Sequence, residues 1–321
     1  MADTHLQDPG LGEKYDGKTT RIINPDGTFN VVREGVGSKI NNLYHFLLNV
    51  SWTQFVLVLI GGYIVANGLF AVLYLIAGID GLAGVNDLDT TNDFLIAIFF
   101  SFQTFTTLGY GGLSPIATDI NIIAGFQAMF GFMSFSIATG LLYGRFSKPS
   151  ARIKYSKNIL LAPYENGFAL MFRIVNRRDN LLMDMSAKVL LATSRKVNGM
   201  YIRSYDQLNL AINKIDFFPL NWTIVHPIDE GSPLYGKSAS EVIKLNPQVV
   251  VLIKGFDDSF SQEVHSRYSY TLKEIIFNAK FKPAYKVFED GSTHININDI
   301  DAYTKLEGKV GDILKKESQK V

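Results

Sequence analysis

The 321-residue chain has no cysteine, only ten prolines and two tryptophans, and a formal net charge of +1. Without cysteine there is neither a disulfide framework nor a thiolate metal site, and the absence fits a cytoplasmic setting for the soluble part of the chain. The near-neutral balance lacks the basic excess that would point to nucleic acid. No helix carries arginine at regular spacing, so nothing supports voltage sensing. No Gly-x-Gly-x-x-Gly follows a strand, so nothing supports a nucleotide-binding regulator. His226, His265 and His294 stand without a carboxylate, serine or cysteine at motif spacing, and read as structural residues, not as pH sensors or catalytic groups. No enzymatic activity and no cofactor is expected.

Charge is missing locally as well. Phe55 to Ala77 and Ile120 to Gly144 run 23 and 25 residues without a charged side chain, against the roughly 20 needed to cross a ~30 Å hydrocarbon core. The first run starts too late for a signal peptide and has no small-residue cleavage site behind it. Between the two, Phe94 to Phe105 is apolar but only about 18 Å long as a helix, and Thr90, Thr91, Asn92 and Asp93 offer N-caps for it. It is too short to cross and reads as a re-entrant helix. Arg145 to Lys157 carries five bases and no acid, whereas Gly78 to Asp93 carries Asp80, Asp87, Asp89 and Asp93 and no base. The basic side is therefore expected in the cytoplasm, with both termini. The acidic loop either concentrates cations outside or is simply solvated.

The re-entrant helix runs into Thr106 to Gly111, TTLGYG. A Thr-x-Gly-Tyr-Gly loop lets successive backbone carbonyls and the Thr107 hydroxyl replace the water shell of a potassium ion. Gly109 and Gly111 permit the backbone angles that residues with a Cβ resist. The expectation is a potassium site built from Thr107, Leu108, Gly109 and Tyr110, completed by Gly111. A Gly-Tyr-Gly surface turn is the bland alternative, which the two flanking spans argue against.

Past Tyr155 the pattern becomes short β-branched and aromatic runs broken by turns. Strands are expected at Phe168 to Val175, Lys188 to Val197, Met200 to Leu210, Trp222 to Ile228, Val249 to Phe256, Tyr268 to Leu272, Tyr285 to Phe288 and Thr293 to Ile297, with a tight turn at Asp290-Gly291. Such spacing predicts an immunoglobulin-like β-sandwich. A short helix is expected at Ser240 to Leu245, where Ser238 and Glu241 have capping-box spacing. The first twenty residues read as disordered, and the charged tail from Tyr303 as helical or frayed. Ile40 to Val50 places Leu43, Phe46, Leu47 and Val50 at helical spacing. That is an amphipathic helix, lying either in the cytoplasmic interface or on the soluble domain.

The chain resembles prokaryotic inward-rectifier potassium channels. The matching stretches are NPDGTFNVVREG at Asn24 to Gly35, LYHFLLNVSW before the first span, the re-entrant helix with its filter, YGRFSKP at Tyr143 to Pro149, WTIVHPIDEGSPLYG at Trp222 to Gly236, and EII at Glu274 to Ile276. The resemblance implies a homotetramer in the bacterial inner membrane, two transmembrane helices and a re-entrant pore helix per subunit, and a C-terminal all-β immunoglobulin-like sandwich. The corresponding divisions are a cytoplasmic segment 1–37, an interfacial slide helix 38–51, a pore domain 52–148 (outer helix 52–77, pore helix 92–105, filter 106–111, inner helix 120–146), the sandwich 149–301 and a tail 302–321.

It also implies roles for single residues. Where animal members pair a pore-helix glutamate with an arginine behind the filter, this chain has Gln103 and Gly112 or Leu113, so neutral hydrogen bonds from Gln103, Thr104 and Thr106 are expected to hold the filter. Leu108 stands where a β-branched residue is usual. Phe135 takes the place of the acid that holds magnesium and polyamines in strong rectifiers, which implies weak block by those cations. Tyr143 falls at the helix-bundle crossing. Gly131 and Gly140 serve either as bending points or as close-packing positions. Gln127 is expected to face the protein interior. Arg145, Lys148 and Arg152 fall where relatives bind anionic lipid, although the positive-inside rule alone accounts for them. Asp216 and Glu274 are placed near a cytoplasmic pore. Two other functions stay open: a non-selective cation channel, against which Tyr110 argues, and a membrane-anchored β-sandwich sensor without a pore, which leaves TTLGYG unexplained.

Overall fold

The computed structural model describes residues 5–6, 8–17, 21–35, 43–147 and 151–307. The chain divides into two compact units, Glu34–Lys148 and Met1–Arg33 with Pro149–Val321.

The first unit is helical. Helix α1 spans Leu43–Asn49, the described part of the expected amphipathic segment. Ser51 then opens α2, Trp52–Ala77, through a capping box in which its hydroxyl accepts from the Gln54 N–H while the Gln54 side chain accepts from the Ser51 N–H. Helix α3, Asp93–Phe105, is capped by Asn92, whose side chain accepts from Phe94 N and Leu95 N. Helix α4, Thr118–Phe146, is continuous through all its glycines. Two of these helices, α2 and α4, are long and apolar enough to cross a membrane. Both leave large apolar side chains such as Leu57, Ile64, Phe126 and Phe132 exposed on the single chain, the pattern of helices that face lipid or other subunits.

The described residues of the second unit are mainly β, with two short 3-10 turns at Leu272–Glu274 and Ile297–Asp301 and one α-helix, Ala239–Lys244, whose Ser238 and Glu241 form the expected capping box. One sheet is ordered Met200–Leu208, Leu182–Val197, Gln248–Asp257, Gln262–Thr271. The other is ordered Asn221–Pro227, Gly167–Asn176, Ile159–Tyr164, Ile275–Phe277, with the last pair parallel. Strict alternation buries Trp222, Ile224 and His226 of Asn221–Pro227 on one face. Trp222 and Ile224 pack with Phe172, Leu191, Val251 and Tyr270 into the core between the sheets. Each such fully buried apolar side chain contributes about 1.5–3 kcal/mol. Asn198 and Gly199, both at positive φ, make the two-residue turn between Leu182–Val197 and Met200–Leu208.

Three expectations are corrected. Part of the N-terminal segment is ordered: His5–Leu6 and Lys14–Tyr15 pair with Met200–Leu208, whose free edge offers unpaired backbone groups. The tail begins as a strand, Tyr303–Lys305, on Ala279–Phe281; residues 308–321 lie outside the described residues. The hairpin at Asp290-Gly291 has a wider loop than a two-residue turn, because the Asp290 carboxylate accepts from both the N–H and the hydroxyl of Ser292 and so organises residues 288–292.

Candidate ion pathway and its supports

The backbone after α3 changes hand at every other residue. Thr107, Gly109 and Gly111 have φ of 56°, 54° and 84°, while Leu108 and Tyr110 between them do not enter that region. Alternating hand leaves successive carbonyls on one side of the chain, and a row of carbonyls is a dehydrating ligand set for a monovalent cation. Thr107, placed at the ion by the motif through its hydroxyl, also has a left-handed backbone that the motif alone does not reveal. A β-branched residue in the left-handed region is strained, and strain of this kind collects at functional sites.

The loop is anchored by Gln103. Its backbone carbonyl accepts from Leu108 N at 2.9 Å and Gly109 N at 3.3 Å, and its buried side chain donates to the Leu113 carbonyl at 3.4 Å on the far limb of the loop. The Thr106 hydroxyl donates to the Phe102 carbonyl at 2.8 Å. Both side chains therefore sit at the base of the loop, in neutral hydrogen bonds. The side chains of Leu108 and Tyr110 are exposed on the single chain.

On α4, Phe135 lines one hollow together with Thr106, Thr107, Tyr63 and Phe130. The structure thus brings the residue placed in the cavity to the same hollow as the base of the filter. Tyr143 is 75% exposed on the single chain, so its ring is free to meet another subunit. The two glycines differ: a Cβ on Gly131 would fall 2.0 Å from the Phe105 carbonyl oxygen, whereas one on Gly140 meets nothing within 4 Å. Gly131 is a close-packing position.

Arg145 has a defined seat. Its guanidinium donates to the carbonyls of Leu47 and Val50, the latter at 2.7 Å, and stacks over the rings of Trp52 and Phe55 at 4.7 and 4.6 Å. It ties the C-terminus of α1, where carbonyls lack helical partners, to the end of α4. Lysine cannot reproduce this planar fork between two rings. Arg145→Lys is expected to lower the melting temperature of the purified protein although the charge is kept, by the loss of roughly 1–2 kcal/mol of cation–π and hydrogen-bond energy per chain; an unchanged melt would show the seat to be idle. Arg152 is exposed, and Lys148 lies outside the described residues.

Asp216 and Glu274 do not share a setting. Glu274 accepts from Arg21 at 3.0 Å and, through its other oxygen, from the N–H and hydroxyl of Thr271. Arg21 also donates to the Ser269 carbonyl, so Glu274 fastens the N-terminal segment to the sandwich. Asp216 is exposed and lines a cleft with Asp184, Glu263, Lys214 and Lys254. Asp184, at φ 48°, is an acid that sequence reading passed over, because a single carboxylate within a strand pattern has no motif around it.

Of the three histidines His226 is buried, whereas His265 and His294 are exposed. His226 contacts the Asn209 carbonyl through Nδ1 at 2.6 Å and the Ser232 hydroxyl through Nε2 at 2.8 Å. A carbonyl only accepts, so Nδ1 carries the proton and Nε2 accepts from the hydroxyl. Burial pushes the imidazole below its ordinary pKa of 6.5. Its stabilising contribution is therefore full above that pH and is lost as pH falls.

Comparison with known proteins gives consistent matches to both units. Residues 153–320 match the family model described as inward rectifier potassium channel C-terminal domain, and residues 55–148 match the one described as ion channel. The chain is similar to inward rectifier potassium channel Kirbac3.1 of Paramagnetospirillum magnetotacticum, 32% identical over 89% of this chain and 96% of that protein. It is 26% identical to ATP-sensitive inward rectifier potassium channel 12 of Gallus gallus, over 88% of this chain and 72% of that one. It is 23% identical to inward rectifier potassium channel 18 of Homo sapiens, over 84% and 67%.

Proposed function

The chain belongs to the inward rectifier potassium channel family, and from that premise we propose that four copies assemble in the bacterial inner membrane around a filter made of Thr107 to Gly111, with both termini in the cytoplasm. Potassium conduction itself follows from the family; the residue assignments are our reading. The observation that supports them best is the alternating hand of Thr107, Gly109 and Gly111, clamped at its base by the Gln103 carbonyl. The aromatic side chain of Tyr143 closes the crossing of the inner helices. Anionic lipid meets Lys148 and Arg152, while Arg145 acts from behind by holding α1 against α4. Asp216, with Asp184 and Glu263, draws cations toward the cytoplasmic path.

Barium-sensitive flux in liposomes tests this reading. Potassium and rubidium uptake well above sodium uptake is expected. Equal sodium uptake would mean a non-selective cation channel, and no uptake would leave a membrane-anchored sandwich without a pore.

Rectification gives a second measurement. Phe135 offers no negative charge, so magnesium and polyamine block from the cytoplasmic side should be weak and shallow in voltage. Phe135→Asp places four carboxylates around one confined cavity and should tighten polyamine block by about tenfold or more, because each blocker charge then finds opposite charge in a poorly screened site. Steep block already present in the wild type, or block unmoved by the aspartate, would mean that Phe135 does not face the cavity.

A further inference from the structure

Three fully buried polar side chains, one from each long helix of the membrane unit, meet inside it: Asn67 of α2, Ser101 of α3 and Gln127 of α4. Gln127 Nε2 donates to the Ser101 hydroxyl at 2.6 Å and the Ser101 carbonyl at 3.1 Å. Gln127 Oε1 accepts from the buried Tyr74 hydroxyl at 2.5 Å. The Ser101 hydroxyl donates onward to Asn67 Oδ1 at 2.8 Å, and Asn67 Nδ2 to the Tyr63 carbonyl at 2.9 Å. Each polar end in the cluster has a partner. A closed neutral network of this kind is expensive to place in an apolar interior and worth little as bulk adhesion, but it fixes one relative position of the helices that share it.

What it fixes is α3. Ser101 lies two residues before Gln103, whose carbonyl receives the N–H groups of Leu108 and Gly109. One turn beyond Gln127, Gly131 lies against the Phe105 carbonyl at the filter end of α3. Sliding or rotating α3 would move the Gln103 carbonyl, and with it the backbone that faces the ion. We propose that Asn67, Ser101 and Gln127, completed by Tyr74, are positioning residues for potassium selectivity. They set the depth and rotation of α3 and so the radius of the carbonyl cage, although none of their side chains belongs to the filter. This rests on the filter assignment above.

The test compares potassium-over-sodium preference and the melting temperature of the reconstituted tetramer in wild type, Ser101→Ala, Gln127→Leu and the combined Asn67→Leu, Tyr74→Phe, Ser101→Ala, Gln127→Leu variant. The single variants should lose about tenfold in preference while tetramers still form. The combined variant, in which all partners leave together, should recover most of the melting temperature without recovering the preference. Singles with wild-type preference, or a combined variant that regains both readouts, would reduce the network to ordinary packing and overturn the proposal. Should Gln127→Leu fail to assemble, Ser101→Ala, which deletes one hydroxyl, carries the measurement. Wild-type vesicles that admit sodium as freely as potassium would instead strike the filter assignment itself.

Discussion

Gly109→Ala should abolish selective rubidium and potassium uptake while leaving the tetramer assembled. The residue sits at φ 54°, and a Cβ there meets nothing within 4 Å of the same subunit. The penalty is therefore backbone strain, of about 1–2 kcal/mol per left-handed L-residue, multiplied by four around one axis. Relaxing that strain requires the 109 backbone to leave the left-handed region, which swings a carbonyl off the ion path and breaks the alternation that Thr107 and Gly111 maintain on either side. The Gly109 N–H would also leave the Gln103 carbonyl, 3.3 Å away. The packing of α2, α3 and α4 is untouched, so assembly and melting should hold while rubidium uptake falls to background. Wild-type uptake in this variant would remove Gly109 from the pore.

The membrane unit was largely legible from the sequence, for a physical reason. Spanning imposes length and excludes charge, so Phe55 to Ala77 and Ile120 to Gly144 declare themselves, and the short Phe94 to Phe105 run can only be re-entrant once the spans on either side are fixed. The β-rich second half was legible wherever strands alternate, as in Asn221–Pro227. It was not legible at Ile159–Tyr164, a continuous apolar run ending in Pro-Tyr, where period 2 is absent because both faces are covered. The two-residue strands His5–Leu6 and Lys14–Tyr15 are created by the sheet edge they join and have no pattern of their own.

The site divides in the same way. The filter glycines follow from the motif, and the inward-facing Gln127 follows from the cost of leaving an amide in lipid. Its partners do not: Asn67 and Ser101 are single polar residues in separate apolar runs, and only the crossing of three helices makes them neighbours. Arg145 counts as one base among five in the sequence, yet its seat between Trp52 and Phe55 depends on where α1 ends. Asp216 and Glu274 look equivalent as acids. Their difference lies in Arg21, some 250 residues away in the chain, which occupies one of them and not the other.

Gly131→Ala is the substitution with the largest expected effect on the fold as well as the function. The added Cβ would stand 2.0 Å from the Phe105 oxygen, 2.9 Å from its carbonyl carbon and 3.1 Å from its Cα. All three are backbone atoms of a helix end, so no rotamer change relieves the overlap. Either α4 or the end of α3 must move by about 1 Å to restore van der Waals contact, and overpacking of this kind costs about 1–3 kcal/mol even where the surroundings yield. Here it is repeated in each subunit. Phe105 immediately precedes Thr106, so the displacement enters the filter directly. Gly140→Ala is the control within the same helix, because its Cβ meets nothing within 4 Å and alanine favours helix by about 1 kcal/mol over glycine. If Gly131 packs, its variant should melt well below wild type and lose potassium selectivity, while Gly140→Ala should match or exceed the wild-type melt. If both glycines were bending points, both variants would assemble and melt normally and differ from wild type only in resting flux. Thermal melts of the two purified channels, read beside rubidium and sodium uptake in liposomes, separate those outcomes.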